Sequence, residues 1–175
     1  VNSRALASAA LAGLVILGAT GCQAVTSQAT TISYSPSDGV SVPDAEGAPI
    51  EIRNAVVIAD DEGEQGNLAA ALVNRTDSSE TLTLEWGDES TTVRVPADSV
   101  VSLGTTAEDP LLLDAIDTIP GATLPIYFQS GDAEGVLAEV PVLNGCLEQF
   151  EDLVPGNGSS DCEKETPAPV EGEEH

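Results

Sequence analysis

The stretch from residue 81 to residue 95 most constrains what this chain can fold into. In TLTLEW (81–86), Leu82, Leu84 and Trp86 fall on one side of an extended chain, and Thr81, Thr83 and Glu85 fall on the other. Gly87-Asp88 breaks the run, and TTVRV (91–95) resumes the alternation with Val93 and Val95 inward. A period of two with one polar side matches half-buried strands and does not match a helix. Similar short runs recur at 50–58 (IEIRNAVVI), 68–73 (LAAALV), 100–103, 124–128 and 136–142, each bounded by Gly, Pro, Asp, Asn or Ser. The run at 50–58 begins as an alternation and ends as a continuous apolar segment. Seven short strands spaced by turn residues predict an all-β domain, an antiparallel β-sandwich of the immunoglobulin-like type. Residues 111–119 (LLLDAIDTI) are held between Pro110 and Pro120. They read as an extended crossover with a candidate strand at 111–113.

The material of the core agrees with that reading. Apolar residues make up 41% of the chain but aromatics only 3%, so the interior must be built from Val, Leu, Ala and Ile. Branched and small side chains pack well on pleated sheets, whereas small-molecule pockets usually recruit aromatics. The formal charge is −25, with 30 acids against five bases. Such a chain has no electrostatic route to nucleic acid or to an anionic lipid surface. A surface of this kind keeps a domain soluble, and it also suits a cationic or basic partner.

The first 22 residues, VNSRALASAALAGLVILGATGC, have the form of an export signal. Arg4 supplies a positive start, followed by an uncharged apolar run at 5–20 that is short for a membrane span. The chain holds no Met, and Val1 is read as an alternative start codon translated literally. Ala19-Thr20-Gly21-Cys22 resembles the bacterial lipobox, with Ala19 where Leu is usual. The expected organisation is a lipoprotein signal peptide at 1–21, lipidation at Cys22 and a polar tether at 22–31, followed by the sandwich at 32–145. Cleavage before Cys22 leaves 154 residues, enough for one domain with a real core. Two or more acyl chains would hold the domain on the extracytoplasmic face of the plasma membrane. They would act unaided, since acidic surfaces are repelled by anionic leaflets.

With Cys22 acylated, Cys146 and Cys162 remain, an even number in an oxidising compartment. They are expected to form a disulfide, because two thiols with no His nearby make a poor metal site. The bridge would close a loop at 146–162 in which 147–153 (LEQFEDL) forms a short amphipathic helix. Residues 163–175 are acidic and Pro-rich, and composition predicts a disordered tail.

The inventory for chemistry is sparse. The one histidine is His175, the last residue, so Ser–His and Cys–His catalysis and His-based metal sites have no base within the domain. The acidic run Asp60-Asp61-Glu62-Gly63-Glu64 fails the EF-hand pattern and reads as a hairpin loop, leaving at most a weak surface Ca²⁺ site. Asp114 and Asp117 are near enough in sequence to pair, with nothing that fixes their separation. Trp86 shares a side with Leu82 and Leu84 and is expected in the core. Asn74-Arg75-Thr76 matches a glycosylation sequon that a bacterial lipoprotein has no use for. No catalytic residue, metal ligand or cofactor is assigned, and the chain is not expected to be an enzyme.

Several segments carry a family likeness. Tyr34-Ser35-Pro36-Ser37-Asp38-Gly39-Val40, Ile52-Arg53-Asn54-Ala55-Val56-Val57 and Ala71-Leu72-Val73-Asn74 resemble the LpqE-like lipoproteins of actinobacteria. So does Val140-Pro141-Val142 followed by Gly145-Cys146 and Cys162, which extends the likeness from the lipobox through about Cys162. These motifs are structural rather than catalytic. That family is similar in fold to the PCu(A)C-type periplasmic copper chaperones, which implies an immunoglobulin/cupredoxin-like sandwich. Val95-Pro96-Ala97-Asp98-Ser99-Val100 stands where those chaperones carry a comparable turn. Their copper ligands are His and Met, and this chain has no Met and only the terminal His175. The resemblance implies an accessory component on the outer face of the cytochrome bcc–aa3 respiratory supercomplex. The alternative is a metal-handling or small-ligand-binding surface lipoprotein, a degenerate copper chaperone. If lipid is the anchor, Cys22→Ser moves the protein from the membrane fraction to the soluble fraction on cell fractionation. A Cys22→Ser protein that stays membrane-bound at high salt would instead identify a protein partner as the main anchor.

Overall fold

A computed structural model describes residues 37–105, 108–157, 160 and 162. The segments read as an export signal and a tether, with Cys22, and Tyr34 and the acidic stretch 163–175 with His175 lie outside the described residues. The chain is almost entirely β, as expected. Eight strands run β1 (Ile50–Ala59), β2 (Gln65–Asn74), β3 (Glu80–Trp86), β4 (Glu89–Val95), β5 (Ser99–Leu103), β6 (Leu111–Asp114), β7 (Thr123–Ser130) and β8 (Val136–Leu143). The sheet order is β4-β3-β7-β8-β1-β2-β5, and β6 pairs with the remaining part of β2. This mixed sheet curls until it is nearly closed, and among the described residues β4 stands at one end of it and β5 with β6 at the other.

One candidate strand of the sequence reading forms, and one pairing departs from the expected pattern. The crossover between Pro110 and Pro120 does form a strand, the eighth, because Leu111–Leu113 find free partners at Gly66–Leu68 beyond the end of β5. The sheet is also not purely antiparallel. β1 and β8 run parallel through Val57↔Val142 and Ile58↔Leu143. That short contact joins β4-β3-β7-β8 to β1-β2-β5, and no alternation within a single strand reveals such a long-range neighbour.

β1 shows how the apolar pattern becomes a fold. Ile50 and Ile52 point into the main core, and so do Ala55, Val57 and Ala59. The inward phase therefore shifts from even to odd positions. The shift is a β-bulge: between Arg53 and Val56 the partner strand advances only from Ala71 to Ala69. Asn54 takes the left-handed conformation there, φ 53°, which Asn tolerates better than most residues. Its Oδ1 accepts a hydrogen bond from the Gly39 amide at 3.0 Å. A Cβ on Gly39 would meet the Asn54 carbonyl carbon at 2.6 Å, so only glycine fits this approach.

The remaining core follows the alternation read from the sequence. Leu82, Leu84 and Trp86 of β3 meet Ile126 and Phe128 of β7 and Val140 and Val142 of β8. Trp86 is buried, and its Nε1 donates to the Asp114 carbonyl oxygen at 2.8 Å, linking the end of β3 to the end of β6. At the other end of the sheet, Asn74 serves as a corner post with 1% exposure. Its Nδ2 donates to the carbonyl oxygens of Ser78, Val95 and Pro96 at 2.8, 3.2 and 2.9 Å. Its Oδ1 accepts from the Thr76 amide and hydroxyl. The sequon asparagine is thus an internal strut with its amide nitrogen fully engaged. Asn74→Ala leaves one buried and two part-buried carbonyls short of a donor and should cost about 1–3 kcal/mol. Denaturant unfolding measures this, and a loss below about 0.5 kcal/mol, the size typical of featureless surface sites, would remove the corner role.

Candidate functional site

The feature that sets this domain apart from a bare sandwich is its C-terminal strap. Cys146 and Cys162 are joined as expected, with Cα atoms 5.5 Å apart. The segment between them does not form the expected amphipathic helix. Phe150 donates to Leu147 O and Leu153 to Phe150 O, a three-residue repeat, and tight 3-10 turns follow at Glu151–Leu153 and Pro155–Asn157. Seven residues are too few to offset the cost of an α-helical nucleus, and Pro155 stops any extension.

The strap covers the outer face of β1. Phe150 and Val154 bury their side chains against Val56 and Ile58, with Ala69, Leu143 and Leu153 around them. This is why the 55–59 run is apolar at every position: Ala55, Val57 and Ala59 face the main core, and Val56 and Ile58 face the strap. Burying a Val, Ile or Phe side chain contributes about 1.5–3 kcal/mol. Two hydrogen bonds fix the position, from Asn67 Nδ2 to Leu153 O at 3.0 Å and from the Gly145 amide to Ser160 Oγ at 2.7 Å. Beside the strap, small residues of β2 and β5 leave an open groove of about 240 Å³ lined by Val56, Ala69, Ala71, Ser102, Phe150 and Leu153.

The acidic groups singled out from the sequence are mostly spent on turns. Asp60 accepts hydrogen bonds from the backbone amides of Glu64 and Gln65 at 2.9 and 3.1 Å, so it shapes its own loop. Asp114 accepts from Gln65 Nε2, across the β2–β6 pair. Asp117 lies on the exposed crossover with φ 45°. The structure does not make Asp114 and Asp117 a pair of working carboxylates. Among the described residues, no three His, Cys, Asp or Glu side chains gather as a metal ion would need.

One ionic network was not legible in the sequence. Arg53, beside the bulge, forms a two-pronged contact with Asp44 at 2.8 Å on both nitrogens and a third contact with Glu51 at 3.2 Å. Arg75 reaches the other oxygen of Glu51 at 3.1 Å. Hydrogen bonding to Arg53 holds the Asp44 carboxyl below its ordinary 3.8, against the smaller opposing effect of desolvation. The same bond raises the Arg53 guanidinium. Both groups are solvated, so the network orients the 42–48 loop more than it stabilises the fold. That loop covers a cavity of only about 20 Å³ above Ile50, Ile52, Leu82 and Phe128.

Comparison with known proteins adds a structural likeness to this picture. No protein-family model matches the chain, and no curated protein matches it. Among solved structures it is similar to one described as a copper-bound PCuAC domain from PmoF2. The identity is 17% and the TM-score 0.44, over 61% of this chain and 97% of that one. At this distance no ligand or activity passes from one chain to the other.

Of the predicted site residues, Cys22 falls outside the described residues, while Cys146 and Cys162 meet at the strap. Sequence reasoning missed Val154, the second anchor of the strap. The signal was present: Phe150 and Val154 are two of the four large apolar residues, with Leu147 and Leu153, in the disulfide-closed segment, and a strand with two apolar sides needs a cover. Replacing both Cys146 and Cys162 by Ser should raise amide hydrogen exchange across 147–157 while β3, β7 and β8 keep their protection. A loop of this size contributes about 3 kcal/mol in the chain-entropy model. Uniform loosening of all strands would show that the strap and the sandwich unfold together.

Proposed function

We propose that this chain is a lipid-anchored, non-catalytic interaction module on the extracytoplasmic face of a membrane. The observation that carries this reading is where the domain spends its chemistry. Its two thiols are consumed in the disulfide that closes the strap. Its buried polar side chains, Asn74 and Ser130, are engaged in backbone hydrogen bonds within the fold. Two of its arginines are tied to Asp44 and Glu51. What remains for other molecules is surface, strongly acidic and presented on a stiff β frame. The likeness to LpqE-like lipoproteins supports a finer version, an accessory component on the outer face of the cytochrome bcc–aa3 supercomplex. The lipobox at Ala19-Thr20-Gly21-Cys22 supports the anchor.

The competing reading is metal handling, and donor chemistry separates the two. Cu(I) favours thioether, thiolate and imidazole, and this chain has no Met, one terminal His and a disulfide. Titration of the purified protein against a Cu(I) chelator should show no stoichiometric copper retained. Capture from detergent-solubilised membranes should bring down subunits of a respiratory complex. Copper held one-to-one against the chelator, with no membrane protein captured, would replace the interaction module by a metal carrier.

A further inference from the structure

We propose that the free edge of β4 is a docking site for an extended partner segment that alternates apolar and basic residues. This deepens the interaction-module reading by naming its surface, and it rests on that reading for its biological sense. The β3–β4 connection is the two-residue turn Gly87-Asp88, with Trp86 opposite Glu89 and Gly87 at φ 53°. In a hairpin this tight the closing pair exchanges both backbone hydrogen bonds. The amides and carbonyls of Glu89, Thr91, Val93 and Val95 therefore turn toward β3, and those of Ser90, Thr92 and Arg94 turn away from it.

Among the described residues no strand pairs with that outward side, because β4 ends the sheet order and is not hydrogen-bonded to β5 at the opposite end. Sheet edges are commonly guarded by Pro, by a bulge, by Lys or by extreme shortness. β4 is seven residues long, contains no Pro or Lys and keeps regular register with β3 throughout, and Arg94 is the one charged residue among its three outward-pairing positions.

The surroundings of this edge specify the occupant. Val93 on β4, and Val101 and Leu111 on the strands at the other end of the sheet order, are only partly buried against the core. An added strand would cover them with inward-facing apolar side chains. Its outward side chains would stand near Glu85 and Asp88, exposed at the turn end of the hairpin, and past Arg94 at the other end of β4. These acids belong to a chain of net charge −25, which repels a second copy of itself and attracts a basic segment. Main-chain pairing with Ser90, Thr92 and Arg94 supplies affinity, and the alternation supplies specificity.

The test uses the full chain in detergent with two synthetic octapeptides, one alternating Val and Lys, the other Val and Glu. The Val/Lys peptide should bind saturably, one per chain, and slow hydrogen exchange at 89–95. Thr92→Pro removes an outward amide and should weaken binding about tenfold, while Thr92→Ala keeps the amide and should stay within about twofold. The Val/Glu peptide should bind at least about tenfold more weakly. Several outcomes overturn the proposal: no saturable binding of the Val/Lys peptide, protection outside β4, equal affinity of the two Thr92 variants, or a β4-dependent dimer of the chain itself. Capture of a membrane complex that Thr92→Pro leaves intact would sink the β4 site while the interaction module stands. Peptide binding at β4 without any membrane partner would leave the site and remove the module.

Discussion

A strand that has to be buried on both faces sets the plan of this domain, and β1 is that strand. Its inner side chains, Ala55, Val57 and Ala59, close the main core, while Val56 and Ile58 on its outer side would otherwise meet water. Something must cover them, and the strap does so with Phe150 and Val154. The disulfide makes that cover economical, since it limits the conformations a short irregular segment would otherwise explore. β1 also joins the two parts of the sheet through its parallel contact with β8.

The bulge at Asn54 makes this dual role possible. Without the extra residue, the alternation that points Ile50 and Ile52 inward would continue to Asn54, Val56 and Ile58 and leave Val57 outside. With it, the first part of β1 exposes Arg53, which is then free to hold Asp44 and the 42–48 loop. The second part turns a small-residue side inward against β2 and β8. Register, loop position and strap docking are thus consequences of one backbone irregularity. Gly39 packed against Asn54 keeps it in place.

Polar chemistry in the domain is architectural wherever the surroundings exclude water. Asn74 ties three carbonyls at a corner, Trp86 ties β3 to β6, and Ser130 receives the Ile50 amide at 3.4 Å. A buried donor or acceptor is tolerated only when paired, so groups deep in the fold become struts. Acidic residues are excluded from the interior by the same rule and collect outside. The result is an aliphatic body with a strongly acidic surface, which suits recognition by shape and charge.

How much of this was legible in the sequence depended on the range of the interaction concerned. Period-two alternation at 81–86 and 91–95 is a property of neighbouring residues, and it specified the strands, their inward sides and the place of Trp86 in the core. The cysteine count anticipated the disulfide, because the rest of the domain offers no better partner for either thiol. The apolar run at 55–59 announced a strand covered on both sides without saying by what. The parallel β1–β8 contact and the ion pair between Arg53 and Asp44 depend on groups that meet only after the sheet curls. The expected helix at 147–153 failed for a related reason. Local spacing allowed it, but anchoring Phe150 and Val154 on β1 while returning the chain to Cys162 within a few residues requires tight turns. Sequence therefore decided which residues must be hidden, and tertiary structure decided what hides them, because burial is satisfied by whichever surface the folded chain brings near.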